Sequence, residues 1–376
     1  MTKAIFIQSE SGLWFKLKNL NWVLICLIFM LASVGFLALY SAAGGSINPW
    51  ASRQITRFLL GVMFMIGIAL VDIRWWFRLA WPSYCVGFVL LIFVEFMGRI
   101  GKGAERWIDL GFVQIQPSEL MKIAVIMVLA RYFHLASPED MRRIRFLIIP
   151  VLIILAPVGM ILMQPNLGTS LIIIINGAAL LFMAGAPIWM FLTGIAGVVC
   201  AIPVVWHFLH DYQKQRVLTF LNPESDPLGA GYHITQSKIA IGSGGVTGKG
   251  FLNGSQSHLN FLPEKQTDFI FTLWVEEFGL IGGIFLIVLL AMIYGYGLWM
   301  ALRIKHNFGR FMCLALMVNF SLYAFINIAM VMGLIPVVGI PLPLLSYGGT
   351  SMIAVMISFG LMMSCHLYRD HKVTRV

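Results

Sequence analysis

The sequence predicts an all-α integral membrane protein of about ten transmembrane helices, with a large extracytoplasmic loop between the seventh and eighth. Three observations carry this reading. The 376 residues are 59% hydrophobic and only 11% charged, where soluble globular domains are roughly 25% charged. Apolar runs of about 20 residues, the length a helix needs to cross a hydrocarbon core, recur along the whole chain. The basic residues gather in the short connections between alternate runs, as topology signals do.

The runs centre near residues 31, 64, 88, 125, 154, 176, 198, 284, 323 and 357. The first, "NWVLICLIFMLASVGFLALYS" from Asn21, exceeds the ~7–15-residue core of a signal peptide and has no convincing cleavage site, so it reads as a retained span. Lys3, Lys16 and Lys18 precede span 1, and Arg74 and Arg78 follow span 2. Arg142, Arg143 and Arg145 follow span 4; Arg303, Lys305 and Arg310 follow span 8; Arg369, Lys372 and Arg375 follow span 10. All lie on one side if the span number is even, which makes that side and both termini cytoplasmic. No internal repeat is visible, so residues 1–376 read as a single polytopic membrane domain.

The opposite side receives residues 98–115 and a long segment, 210–267. The latter carries Lys214, Arg216, Lys238, Lys249 and Lys265 where topology asks for no positive charge. Within it, "HITQSKIAI" from His233 reads as a short amphipathic helix lying in the membrane interface. "GSGGVTGKGFLNGS" reads as a flexible Gly-rich turn region and does not match a nucleotide-binding P-loop, because Ser243 and Gly250 occupy positions that need Gly and Ser/Thr. The net charge of +10 belongs to topology, and no nucleic-acid partner is expected. The five cysteines are isolated and mostly within apolar runs, which suits small hydrophobes and no disulfide or zinc framework. His207 and His210, with Asp211, have a metal-like spacing but sit where interfacial histidines commonly end a span, and no metal site is assigned.

Polar residues inside spans are the chemical signal, since each costs free energy in lipid. In "QPSELMKIAV", Pro117 suits a first helical turn, with Gln116 or Ser118 near the cap. Glu119 and Lys122 then share one helix face, as a structural ion pair or the wall of a polar cavity. Glu276 and Glu277 repeat the theme in span 8. Asp268 precedes that span, where an aspartate is a good N-cap. In "ERWIDLG", Arg106 beside Trp107 is either a membrane-edge anchor or a phosphate-binding guanidinium. "GIPLPLLSYGGTS" from Gly339, containing Ser346, is either a tight connection or irregular backbone lining a site.

Taken together these stretches resemble the SEDS family of shape, elongation, division and sporulation proteins. The resemblance rests on "NIAMVMGLIPVVGIPLPLLSYGGTS" (327–351), on "YHITQSKIAIGSGG" followed by "GKGFLNGSQSHLNFLPEKQTDFIF", and on "QPSELMK". It covers nearly the whole chain and is nearer to the elongation member than to the division member, which remains an alternative. It implies a peptidoglycan glycosyltransferase of the bacterial cytoplasmic (inner) membrane. Such an enzyme polymerises lipid II at the outer face together with a class B penicillin-binding protein, the transpeptidase. It implies that Asp268, in its "TDF" setting, is the family's essential aspartate, and that Glu119 and Lys122 belong to a functional polar cluster. Asn166 in "QPNLGT" departs from the family's usual Asp, which puts a charge-dependent role there in doubt.

On this reading the substrate is amphiphilic, so the group acting on its first sugar belongs at the membrane edge, where Asp268 lies. Pyrophosphate leaves readily, and one general base suffices. Arg106, Arg216, Lys238 and Lys249 are expected to hold the acidic headgroup, with Glu119, Lys122, Glu277 and Ser346 as further substrate-side residues. No cofactor is assigned; a divalent cation is compatible with the chemistry. Two other functions stay open at this point: a lipid II flippase, and a scaffold that only positions the transpeptidase. Polar residues clustered toward the outer half favour the enzyme.

Overall fold

A short helix α1 (Leu13–Lys18) leads into α2 (Trp22–Ala42), α3 (Trp50–Leu70), α4 (Ile73–Met97), α5 (Pro117–Phe133), α6 (Ile144–Met163), α7 (Leu167–Met183) and α8 (Ile188–Phe208). After these come α9 (Ala230–Ser243), α10 (Ser255–His258), α11 (Ile270–Leu302), α12 (Asn307–Val331) and α13 (Gly349–Leu367). The computed structural model describes residues 12–371 apart from 98, 102–103, 110–113, 138, 165, 209–213, 215–217, 223–229, 260 and 263. Each of the ten apolar runs coincides with one of these helices. Seven, namely α2, α3, α4, α6, α11, α12 and α13, are long and apolar enough to cross a membrane, while α7 and the Ile188–Pro203 part of α8 are shorter apolar stretches. The segment 98–115 adds a small antiparallel sheet to the expected helices, in the order β1 (Arg99–Gly101), β2 (Ala104–Asp109), β3 (Gln114–Ile115). Ile100 pairs with Glu105 and Ile108 with Ile115.

The α5 helix is the hub. Every residue from Met121 to Ala130 is buried, as expected of a helix surrounded by others. It packs against α4, α6, α7, α12 and α13. Pro117 occupies its first turn and Gln116 its N-cap position, so the sequence reading of this start holds. Around the hub, α3 lies along α13, and α11 packs between α2 and α12.

The α11 helix is broken at Gly279, whose φ of 65° and ψ of −162° are non-helical. A break frees carbonyls before it and amides after it, and buried groups of this kind need partners. The Gly-rich segment supplies them. Lys249 N donates to Glu276 O at 3.1 Å and Gly250 N to Glu277 O at 3.0 Å, while Leu280 N donates to Gly245 O at 2.9 Å and Ile281 N to Val246 O at 3.2 Å. Instead of a loose turn region, the glycines form a clasp that enters the break. The expected short amphipathic helix is α9, and it packs one face on the bundle. Its buried face includes Ile234, Ser237 and Ala240, and Ser237 Oγ meets Val331 O and Thr272 Oγ1, each at 2.7 Å.

A side chain at the break has nowhere to go: a Cβ on Gly279 would lie 2.3 Å from Gly248 N and 2.5 Å from Val246 O, at a positive φ. Gly279→Ala is expected to cost about 1–3 kcal/mol in strain and to lower the thermal unfolding midpoint in detergent by several degrees. Gly194→Ala, in open space, is expected to leave the midpoint unchanged. Equal midpoints for the two variants would contradict the clasp.

Candidate active site

The helix α11 begins at Ile270 with Phe269 as its N-cap residue and no side-chain cap bond. Asp268 therefore does not cap the span, which corrects the capping role that its sequence position offered. The reason is local: residues 264–269 already turn back on themselves, with Glu264 O accepting from Thr267 N at 3.0 Å and from Phe269 N at 3.4 Å. Asp268 lies in this turn, half-buried.

Two elements clamp that turn. From α12, Asn327 Nδ2 donates to Asp268 O at 2.9 Å and to Ile340 O at 2.7 Å. From the irregular segment after α12, Ser346 Oγ donates to Thr267 O at 2.6 Å and accepts from Leu342 N at 2.8 Å. Tyr347 N donates to Gln266 O at 2.8 Å. Gln54 of α3 completes the seam, with Nε2 on Ser346 O at 2.9 Å. Residues 339–348 of "GIPLPLLSYGGTS" are thus irregular backbone held by protein groups, as nonhelical chain within a bundle requires. The Asp268 carboxylate comes within 3.5 Å of the position a Cβ on Gly339 would take, and Gly339 has φ +71°. Glycine suits this position for its left-handed backbone, since a Cβ would only touch the carboxylate at ordinary contact distance.

A second network holds the approach to Asp268. Glu276 is fully buried and accepts from Lys249 Nζ at 2.8 Å, Gln256 N at 2.8 Å, Ser257 Oγ at 2.7 Å and Ser257 N at 3.1 Å. Ser257 O in turn accepts from Lys265 Nζ at 2.7 Å, three residues before Asp268. Burial pushes the Lys265 ammonium below the usual lysine pKa range. Glu277 Oε1 receives Ser41 Oγ of α2 and lies 3.2 Å from His258 Nε2. Lys249 was expected to face a substrate headgroup, but its ammonium serves Glu276 and Ser255. A buried carboxylate recruits the nearest cation on the clasp, because an unpaired ion in that setting is costly.

On the hub, Glu119 and Lys122 form an ion pair of 2.7 Å, both side chains buried. Tyr323 Oη donates to Glu119 Oε1 at 2.8 Å, and Lys122 Nζ sits 4.2 Å from the centre of the Tyr323 ring. Tyr323 is four residues from Asn327, and Asn319, four residues the other way, accepts from Asn176 Nδ2 at 2.9 Å. One polar face of α12 therefore links the hub pair to the Asp268 turn, since residues at i and i+4 share a helix face.

The other loop cations are less gathered. Lys238 is exposed on α9, with its side chain over Gly333. Arg106 lies in β2. Arg216, His210 and Asp211 fall outside the described residues. Asn166 caps α7, accepting from Thr169 N at 3.4 Å, a role an uncharged side chain fills. Sequence reading missed Tyr323, Asn327, Gln54, Ser257 and Lys265 as site builders. The four-residue spacing of Asn319, Tyr323 and Asn327 in an apolar span was an available signal, and Lys265 stood out only as one of the loop cations; Gln54 and Ser257 had none.

Comparison with known proteins agrees with this architecture. The family model FtsW/RodA/SpoVE, described as cell cycle protein, matches residues 16–371. The chain is 44% identical to the peptidoglycan glycosyltransferase MrdB of Escherichia coli K12, covering 96% of this chain and 97% of that protein. A chain from the structure titled "Structural coordination of polymerization and crosslinking by a peptidoglycan synthase complex" superposes with a TM-score of 0.83 at 30% identity, over 94% of this chain and 99% of that one. The rod shape determining protein RodA of Thermus thermophilus superposes with a TM-score of 0.71 at 26% identity, over the same shares.

Breaking the hub pair leaves a buried charge alone, which typically costs about 3–5 kcal/mol. Glu119→Gln and Lys122→Met are each expected to lower the unfolding midpoint strongly. The double variant is expected to lose less than the sum, because both charges go together. Additive losses in a double-mutant cycle would mean that the two side chains act independently.

Proposed function

The chain belongs to the FtsW/RodA/SpoVE family of cell cycle proteins, and from that premise we propose how its residues carry out glycan polymerisation. It is a peptidoglycan glycosyltransferase and a multi-pass membrane protein. The 44% identity to MrdB supports the elongation member over the division member. The substrate on this reading is lipid II, a disaccharide-pentapeptide on a polyprenyl pyrophosphate, met at the outer face of the cytoplasmic membrane. On this reading the seven long apolar helices and the shorter α5, α7 and α8 all cross, both termini are cytoplasmic, and residues 210–267 belong to the outer side.

Asp268 acts as general base. It takes the proton from the acceptor's sugar hydroxyl as that oxygen attacks the anomeric carbon of the donor. The bond to pyrophosphate breaks and the pyrophosphate leaves with the electron pair, so the configuration inverts from an α-linked donor to a β-linked polymer. A glycosidase needs a second carboxyl group to protonate a poor leaving group; pyrophosphate does not. The observation that carries this role is the clamp. The Asp268 backbone is held by Asn327, and its neighbour Thr267 by Ser346, while the carboxylate stays half-buried over Gly339. Holding a base in fixed geometry is what makes proximity effective. Glu276, with protein donors on both oxygens, is a support and not a second acid.

Lys238, Arg106 and Arg216 are the cations left for the headgroup, since Lys249 is engaged with Glu276. Glu119, Lys122, Glu277 and Ser346 then act by building the walls of the substrate site. A class B penicillin-binding protein is the proposed partner, supported by the likeness to a chain from a complex that couples polymerisation to crosslinking. The mechanism calls for no cofactor, and a divalent cation on the pyrophosphate is compatible with it.

With purified enzyme and lipid II, Asp268→Asn is expected to lower polymerisation by at least about a hundred-fold, because an amide cannot take the proton. Glu264→Gln, at the start of the same turn, is expected to retain it. Substantial polymer from Asp268→Asn would exclude the base role, and loss with Glu264→Gln alone would move that role to Glu264. Lys238→Gln is expected to raise the lipid II concentration for half-maximal rate and leave the saturated rate near wild type. Added salt should weaken the wild-type enzyme's use of dilute substrate. A Lys238→Gln enzyme with unchanged concentration dependence would remove this residue from the headgroup site.

A further inference from the structure

The connection between α5 and α6 and the first turn of α6 carry three arginines that the reaction does not use. Arg142, Arg143 and Arg145 line a cavity of about 630 Å³ together with Tyr132, Asp140, Ile144, Phe146 and Ile149. The cavity lies at the far end of α5 from Glu119, roughly 20 Å away at 1.5 Å per residue, and so on the side of the bundle opposite Asp268. All three arginines are exposed, and no ion pair to them is found among the described residues. The carboxylate in the cavity is engaged mainly by Ser137: Asp140 Oδ2 accepts from Ser137 Oγ at 2.8 Å and Ser137 N at 3.0 Å, and these bonds, with a smaller contribution from the charge of Arg143, hold its pKa below the usual range. Tyr132 Oη is committed to Phe146 O at 2.9 Å, which fixes the aromatic wall. Below the cavity, α6 turns Ile148, Ile149, Leu152 and Leu155 outward, each about half exposed.

We propose that this cavity binds an anionic phospholipid of the cytoplasmic leaflet, its phosphate among Arg142, Arg143 and Arg145 and its acyl chains along the outward apolar face of α6. The chemistry is complementary at both ends. Guanidinium groups pair bidentately with phosphate oxygens, and an apolar helix face suits a lipid tail. A topology signal alone needs positive charge in the connection, but it does not need a cavity, an aromatic wall and an occupied carboxylate arranged around that charge. Basic pockets on the cytoplasmic side of helix bundles commonly take acidic headgroups. Phosphatidylglycerol and cardiolipin share the glycerophosphate chemistry and differ in carrying one phosphate or two.

The test is native mass spectrometry of the full chain released from nanodiscs containing phosphatidylcholine with either phosphatidylglycerol or cardiolipin. The wild type is expected to retain the anionic lipid over phosphatidylcholine. Each arginine changed to glutamine is expected to weaken that preference by about five-fold. Arg74→Gln with Arg78→Gln, which removes charge from the start of α4 on the same side, is expected to leave the preference unchanged. If the triple glutamine variant fails to insert, the triple lysine variant keeps the topology signal and is still expected to lose part of the preference, because the bidentate fork is gone. A stronger retention of cardiolipin than of phosphatidylglycerol would identify a two-phosphate site, and equal retention a one-phosphate site. No anionic preference in the wild type, an equal loss in the Arg74/Arg78 variant, or full retention by the lysine variant would each overturn the proposal.

Discussion

Backbone that leaves the helical path inside an apolar bundle must find every hydrogen-bond partner within the protein, since water is not there to supply one. This chain leaves that path at Gly279 and again between α12 and α13, and much of the site follows from how the two irregularities are satisfied. The Gly-rich clasp enters the first break, and Gly248 fits only because it lacks a Cβ, which would stand 2.1 Å from Glu277 O. Once seated, the clasp delivers Lys249 to Glu276. Glu276 then orders Gln256 and Ser257, and Ser257 receives Lys265. The second irregularity is sealed by Asn327, Ser346 and Gln54. Both chains of dependence end on the turn that holds Asp268.

The internal charges follow the same economy of partners. Glu119 is neutralised by Lys122 and held by Tyr323, and Glu276 by Lys249 and three donors of the loop. Such pairs add little net stability compared with a well-packed apolar core, but removing one partner is costly. Their effect here is to fix which surfaces meet: α5 with α12, and the loop with α11. The site is thereby placed on three long helices instead of on the loop alone, the arrangement that holds a reacting group most closely in position.

The spans were legible because they depend on runs of about 20 apolar residues and on basic connections, both local properties of the chain. The Glu119–Lys122 pair was legible for the same reason, as i and i+3 on one helix. Most of what could not be read was set by contacts between segments far apart in sequence. Lys249 looks like a free loop cation until Glu276, 27 residues on, is brought against it. Asp268 looks like an N-cap until the turn from Glu264 shifts the helix start to Ile270. The glycines of 244–250 look like slack until the break they fill is known. For Lys249 and the glycines the local rule was sound and a tertiary partner overrode it; for Asp268 a competing local turn did so.

Asn327 shows how narrow the chemical choice becomes at the seam. Its amide nitrogen has two hydrogens, and both are used, on Asp268 O and Ile340 O. Its Oδ1 is buried without a partner, a cost of about 1–3 kcal/mol by the usual measure. An aspartate would direct a carboxylate at two carbonyl oxygens, and a leucine would leave both carbonyls unmet. Asparagine satisfies two irregular strands of backbone with one side chain and pays for it in a single orphaned acceptor. The two strands it joins are the one that bears Asp268 and the one that passes beneath its carboxylate at Gly339. Moving either strand would move the base relative to the sugar hydroxyl it is proposed to deprotonate, so the unsatisfied oxygen is tolerated where positional precision matters most.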